Sequence, residues 1–185
     1  YNISVNDGWR VKGKDGAFQD GKFFWLSGYV GRQKPRSGPY NTYFYNNTIY
    51  VKKGVVAKIA VDRQAKGILI MNNIFHIVGD SKAVMGDQHR PEKAGKTEIA
   101  NVVFKNNLYL RASNWPKGVR IQDAAKLLGD AKFAKPGGMK IEDYLPRNRA
   151  AVKDKGLPIP KIPGDKVGLV VGLAAKKDIL GTPIK

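Results

Sequence analysis

The sequence predicts an all-β fold in which parallel strands stack in layers around one core, as a solenoid. Three observations predict it. The stretches YNNTIYV (45–51), MNNIFHI (71–77) and KNNLYLR (105–111) each set an Asn-Asn pair between two apolar runs. Aligned on the pair, the flanks match in phase. Phe44, Ile70 and Phe104 stand two residues before it, and Ile49, Phe75 and Tyr109 stand two after it. The pairs recur from 46 to 72 and from 72 to 106, unequal steps that suit layers carrying loops of different length.

The phase matters because side chains alternate along a strand, so matched positions share one face. That face is apolar on both sides of each pair, which describes a chain that bends and continues around the same interior. Asn suits the bend. Its short amide bonds to nearby backbone, and it enters the left-handed region more readily than any residue except glycine. The neighbouring amide can stack on its counterpart in the next layer. Asn46, Asn47, Asn72, Asn73, Asn106 and Asn107 are therefore expected to form a ladder of turns. Three unrelated β-turns are the alternative, and would leave the matching frames to coincidence.

The elements follow in order. YNISVNDG (1–8) reads as a strand and a bend in an earlier layer, with Asn2 alone at the corner. Residues 10–39 read as a long insertion, punctuated by Asp-Gly pairs and KPRSGP and interrupted by a short strand within FFWLSGYV (23–30). VVAKIAV (55–61) and TEIANVVF (97–104) are further strands, and 80–96 is a second insertion. Residues 112–185 form a terminal coil and cap. Within it, apolar positions at 121, 124, 125, 127, 128 and 131 predict a short amphipathic helix over 121–131. DYLPRNRAAV adds a helical turn, and the proline-rich stretch 157–163 is an extended tail packed along the stack. The 185 residues form a single domain.

Composition narrows the partners. Lys and Arg number 33 against 15 Asp and Glu, a net charge of +18 that attracts polyanions. The basic residues are spread along the chain without a block, so nucleic acid is the weakest of the polyanion readings. The longest apolar run, GLVVGLAA (168–175), is far too short to cross a bilayer, so no membrane insertion is expected. Cysteine is absent, which removes disulfides and thiolate metal sites. The chain opens inside a strand, without Met or a signal core, so further coils of the same protein are expected before Tyr1.

YNISVNDG, NNTIYV, NNIFHI and NNLYL, with the closing segments GDAKFAKPGG (129–138), GLPIP (156–160) and DILGTPIK (178–185), resemble the right-handed parallel β-helix proteins of the pectate-lyase-like superfamily. Two departures are visible. Ala131 stands where that family usually has Pro, and RNRAAVKDKG (147–156) replaces the usual closing motif. The resemblance implies a right-handed parallel β-helix, a secreted or periplasmic bacterial protein, and a polysaccharide partner that the charge makes acidic. It admits Ca²⁺ as a cofactor. It does not decide between enzyme and binder, because one fold hosts many activities.

Candidate residues for chemistry are few. Gly95-Lys96-Thr97 lacks the glycine a phosphate loop needs, since Arg90 occupies that position. His76 and His89 have no spacing that suits a metal, so no metal ligand is assigned. Alternation turns His76 outward, as a solvent-facing strand residue. His89 and Arg90, in a charged insertion, are candidates for proton transfer together with His76. Carboxylates are sparse and unpaired, so a lyase is favoured over a hydrolase if the protein is an enzyme. Trp9, Arg10, Trp25, Tyr29, Arg32 and Trp115 are the candidate substrate-binding set, because indole and phenol faces stack on sugars and guanidinium grips carboxylate. A non-catalytic, adhesin-like β-helix and polyanion or nucleic-acid binding through the basic surface remain as alternatives.

Overall fold

Asn46, Asn72 and Asn106 adopt the left-handed conformation, with φ of 54°, 57° and 55°. Each ends one strand and starts the next without an intervening loop, because one such residue is enough to turn the chain sharply. These corners organise a computed structural model that describes residues 2–9, 23–26, 33–35, 37–61, 65–83, 100–115, 121–169, 175–178 and 180–183.

Strand is the predominant regular structure of the described residues. The strands are β1 (Ile3–Val5), β2 (Phe24–Leu26), β3 (Tyr40–Tyr45), β4 (Thr48–Val51), β5 (Ala57–Val61), β6 (Lys66–Met71), β7 (Ile74–Ile77), β8 (Ser81–Ala83), β9 (Ala100–Lys105), β10 (Leu108–Tyr109) and β11 (Leu127–Leu128). They form three sheets, and every pairing is parallel. Sheet A runs β1-β4-β7-β10-β11, sheet B runs β2-β5-β8 and sheet C runs β3-β6-β9. The chain visits A, then B, then C, and returns to A through an Asn corner. Register aligns the repeats: Thr48 pairs with Ile74 and Ile74 with Leu108, while Phe44 pairs with Ile70 and Ile70 with Phe104.

Alternation decides the core. Ile49 and Val51 of β4, Ala57 and Ile59 of β5, and Ile68 and Ile70 of β6 point to a common interior, joined by Phe75, Ile77, Phe104 and Tyr109. Burying each such side chain stabilises the fold by about 1.5–3 kcal/mol. Three β-sheets in register can share one interior only if the second residue of each Asn pair, which turns inward, is satisfied there.

That satisfaction is complete. Asn2, Asn47 and Asn73 each send the backbone N–H and a side-chain N–H to Oδ1 of the asparagine in the next layer, at 2.9–3.0 Å. The other amide hydrogens of Asn47, Asn73 and Asn107 go to the carbonyls of Tyr45, Phe44 and Ile70. Asn107 passes its pair of donors to Asp123 Oδ2. All donors and acceptors of these buried carboxamides are thereby used, which removes the penalty of burying them.

The region 121–131 differs from its sequence reading: no helix forms there. Leu127–Leu128 pairs with β10 instead, and the N–H groups of Leu127 and Gly129 bond to the carbonyls of Asn107 and Tyr109. An exposed edge of sheet A offered bonds across layers, and the helical alternative lost them. The second insertion also differs, since β8 forms at Ser81–Ala83 within the stretch read as loop. Among the described residues the α-helical turn, α1 (Arg149–Val152), lies within DYLPRNRAAV. Residues 157–162 have no regular structure, and Ile159 and Ile162 pack on Leu69 and Met71 of β6.

Candidate functional site

Each sheet has an outer face, and the chain treats the three differently. On sheet A, Ile3, Tyr50, Ile74 and Leu108 meet Ala131, Phe133, Tyr144 and Val152 in a second apolar cluster. Residues 130–152 thus cover that face. On sheet C, the tail is fastened by Tyr43, whose hydroxyl donates to Asp165 Oδ2 at 2.8 Å and accepts from the Ile162 N–H at 2.9 Å.

Sheet B presents a cationic face. Ala57 and Ile59 are buried, so Lys58 between them points the other way. Lys58 pairs with Lys82 and Ala60 pairs with Trp25. Trp25 is 43% exposed and Lys82 is exposed, while Lys58 is half-buried. Adjacent parallel strands lie about 4.8 Å apart, so two ammonium stems rise from neighbouring backbones with an indole on the third strand of the sheet. The turn from sheet A to sheet B adds to this surface. Lys52 Nζ sits 3.1 Å from the ring centroid of Trp9, a cation–π contact, and the Lys52 N–H bonds to Asn6 Oδ1 at 2.9 Å. Lys53 beside it is exposed.

A groove lies elsewhere, along the Asn corners between sheet A and its cover. It comprises two adjoining cavities of about 350 and 180 Å³. Asn46, Asn72, Ile74 and Val152 line both. The outer amides already hold chain: Asn72 Nδ2 donates to Leu157 O at 2.7 Å and Asn106 Nδ2 to Lys155 O at 2.7 Å.

Among the candidate residues, Trp9 and Trp25 are exposed, on the sheet A-to-B turn and on sheet B. Trp115 is not a stacking surface. It is 7% exposed and makes edge contacts with Phe104 and Tyr109, closing the end of the core. His76 points away from the core but does not face solvent. It is 6% exposed, stacked on Tyr50 and tilted against Phe133 of the cover. Burial pushes its imidazole below the ordinary value, against the opposing pull of the Asp130 carboxylate 3.8 Å away. Arg10, Tyr29, Arg32, His89 and Arg90 lie outside the described residues.

Lys52, Lys53, Lys58 and Lys82 escaped the sequence reading. The signal for Lys58 was present, as the only charge inside VVAKIAV; its partner was not, because pairing with Lys82 depends on the register between layers. Among the described residues no three His, Cys, Asp or Glu side chains gather where they could hold a metal. No described helix is long and apolar enough to cross a membrane. Burial first, and then the Asp123 carboxylate, drive the Tyr109 phenol far above its ordinary value, so it stays a neutral donor.

No family model matches the chain, and no curated protein or solved structure shows significant similarity to it.

Proposed function

We propose that the chain forms coils of a right-handed parallel β-helix of the pectate-lyase-like kind, in a secreted protein that binds acidic polysaccharide through the outer face of sheet B. One observation carries the reading: Lys58 and Lys82 stand in register beside exposed Trp25, on a face that none of the packed C-terminal clusters includes. Ammonium groups on neighbouring strands attract a polyanion laid across the face. Indole supplies the apolar surface that a sugar ring needs. The fold reading rests on the order of the three parallel sheets and on the Asn columns. In such a protein, further coils would stack on β1, β2 and β3.

Catalysis by this face would be elimination rather than hydrolysis. Its described part offers ammonium groups, which neutralise a uronate carboxylate, and no facing pair of carboxyl groups, which hydrolysis requires.

The test is binding to polyuronates and to neutral glycans across a salt series, with release of unsaturated uronate followed by ultraviolet absorbance. Binding to polyuronate that weakens with salt and is lost in Lys58→Glu with Lys82→Glu, but kept in Lys126→Glu, supports the reading. Equal binding by all variants, or none to any acidic glycan, overturns it. Binding without product marks the non-catalytic β-helix.

A further inference from the structure

We propose that residues 130–152 form a pH-responsive cover on the outer face of sheet A, with His76 as its sensor. The inference is independent of any ligand on sheet B.

The geometry is that of an interface closed over a titratable ring. His76 rises from β7 on the outer face. The Tyr50 ring from β4 stacks on it with centroids 5.7 Å apart, and Phe133 from the cover lies 5.3 Å away on a tilted plane. Leu110 follows β10 at the register position beside it. Among the described residues, the charged group that faces the imidazole is Asp130, also from the cover. Asp130 Oδ1, the oxygen nearest His76 Nδ1, is already engaged by the Lys132 N–H at 2.7 Å, and Asp130 is about half exposed. No hydrogen bond from a described residue reaches the imidazole. A neutral ring is therefore at home between two aromatic faces, while an imidazolium gives up its hydration for one partly solvated carboxylate.

The cover packs on sheet A around this point through the apolar cluster of Tyr50, Leu108, Ala131, Phe133 and Tyr144. The Arg147 N–H bonds to Lys132 O and the Asn148 N–H to Ala131 O, so the stretch before α1 is tied to 131–133, which carries Phe133 over His76, and these amides are protected while that seam is closed. Tyr144 packs on both Phe133 and Tyr50. One wall of the 350 Å³ cavity is made of Ile141, Tyr144, Leu145 and Val152 from the cover, and the other of Ile3, Thr48 and Ile74 from sheet A. Charging His76 loosens the seam between these walls, and the groove along the Asn corners opens.

The sign follows from the side of neutrality on which the ring is buried. The docked cover favours neutral His76 and the released cover admits the charged form, so docking is complete above the ordinary histidine range and weakens as pH falls through it.

The experiment is amide hydrogen exchange of the whole chain at about pH 7.5 and about pH 5, expressed as protection factors. In the wild type, protection at Arg147 and Asn148 is expected to fall about tenfold relative to Ile70. In His76→Gln the fall disappears. His76→Phe keeps a ring between Tyr50 and Phe133, and it serves as the insensitive control if Gln leaves the cover undocked at both pH values. A histidine titration by NMR gives a second readout. An unchanged pH response in both variants overturns the proposal. So does a His76 midpoint above that of free histidine, since Asp130 would then tighten the cover on acidification.

Discussion

Asp123 accepts three donors on one oxygen: the Asn107 N–H at 3.2 Å, Asn107 Nδ2 at 2.7 Å and the Tyr109 hydroxyl at 3.0 Å. A carboxylate has acceptors and no donors, so it receives the asparagine ladder and passes nothing on. Its other oxygen holds the Ala125 N–H at 3.2 Å, at the corner that leads into β11.

Replacing Asp123 by Ala therefore leaves three buried donors without an acceptor. The expected loss is about 3 kcal/mol in urea denaturation. Asp123→Asn keeps an acceptor oxygen and should cost about 1 kcal/mol. Equal losses in the two variants would show that the ladder does not depend on how it ends.

The corner positions separate backbone from side-chain effects. At Asn46 glycine accepts the left-handed conformation, while valine should cost about 1–2 kcal/mol more than glycine in thermal or chemical unfolding. Asn72→Gly also releases Leu157, whose N–H and C=O both bond to the Asn72 carboxamide. Its effect should appear as faster proteolysis near 155–157 ahead of global unfolding.

Tyr43→Phe removes the hydroxyl that joins Ile162 to Asp165 and leaves the ring in place. A loss of about 1–2 kcal/mol is expected, confined to the tail. Limited proteolysis should cut within 157–165 sooner than in the wild type, and protection of β6 amides should stay unchanged.

Alkaline titration reads Tyr109. Its folded pKa is raised, so its contribution to stability is whole below the ordinary tyrosine value near pH 10 and is lost as pH rises beyond it. Phenolate absorbance should therefore rise with unfolding, in one step for this residue, and Tyr109→Phe should shift the alkaline midpoint upward. A Tyr109 phenol that ionises in the folded protein near pH 10 would contradict the burial argument.

The strands, the corners and the inward faces were legible because they depend on local chemistry. Asn-Asn between phased apolar runs specifies where the chain turns and which side chains enter the core, whatever else surrounds it. The stretch 121–131 misled because its apolar spacing fits a helix equally well. The edge of β10, which decided for a strand, is formed by residues remote in the sequence. Trp115 read as a surface aromatic because nothing near it in the chain announces the end of a core.

By itself, then, the sequence determined the period, the turning residues and the alternation, because these are properties of one residue and its neighbours. Only the tertiary structure decided which outer faces are covered, that His76 lies beneath Phe133, and that Lys58 meets Lys82. Those outcomes depend on register between layers and on the return of the last residues over the first, and a contact between distant segments leaves no mark on either segment alone.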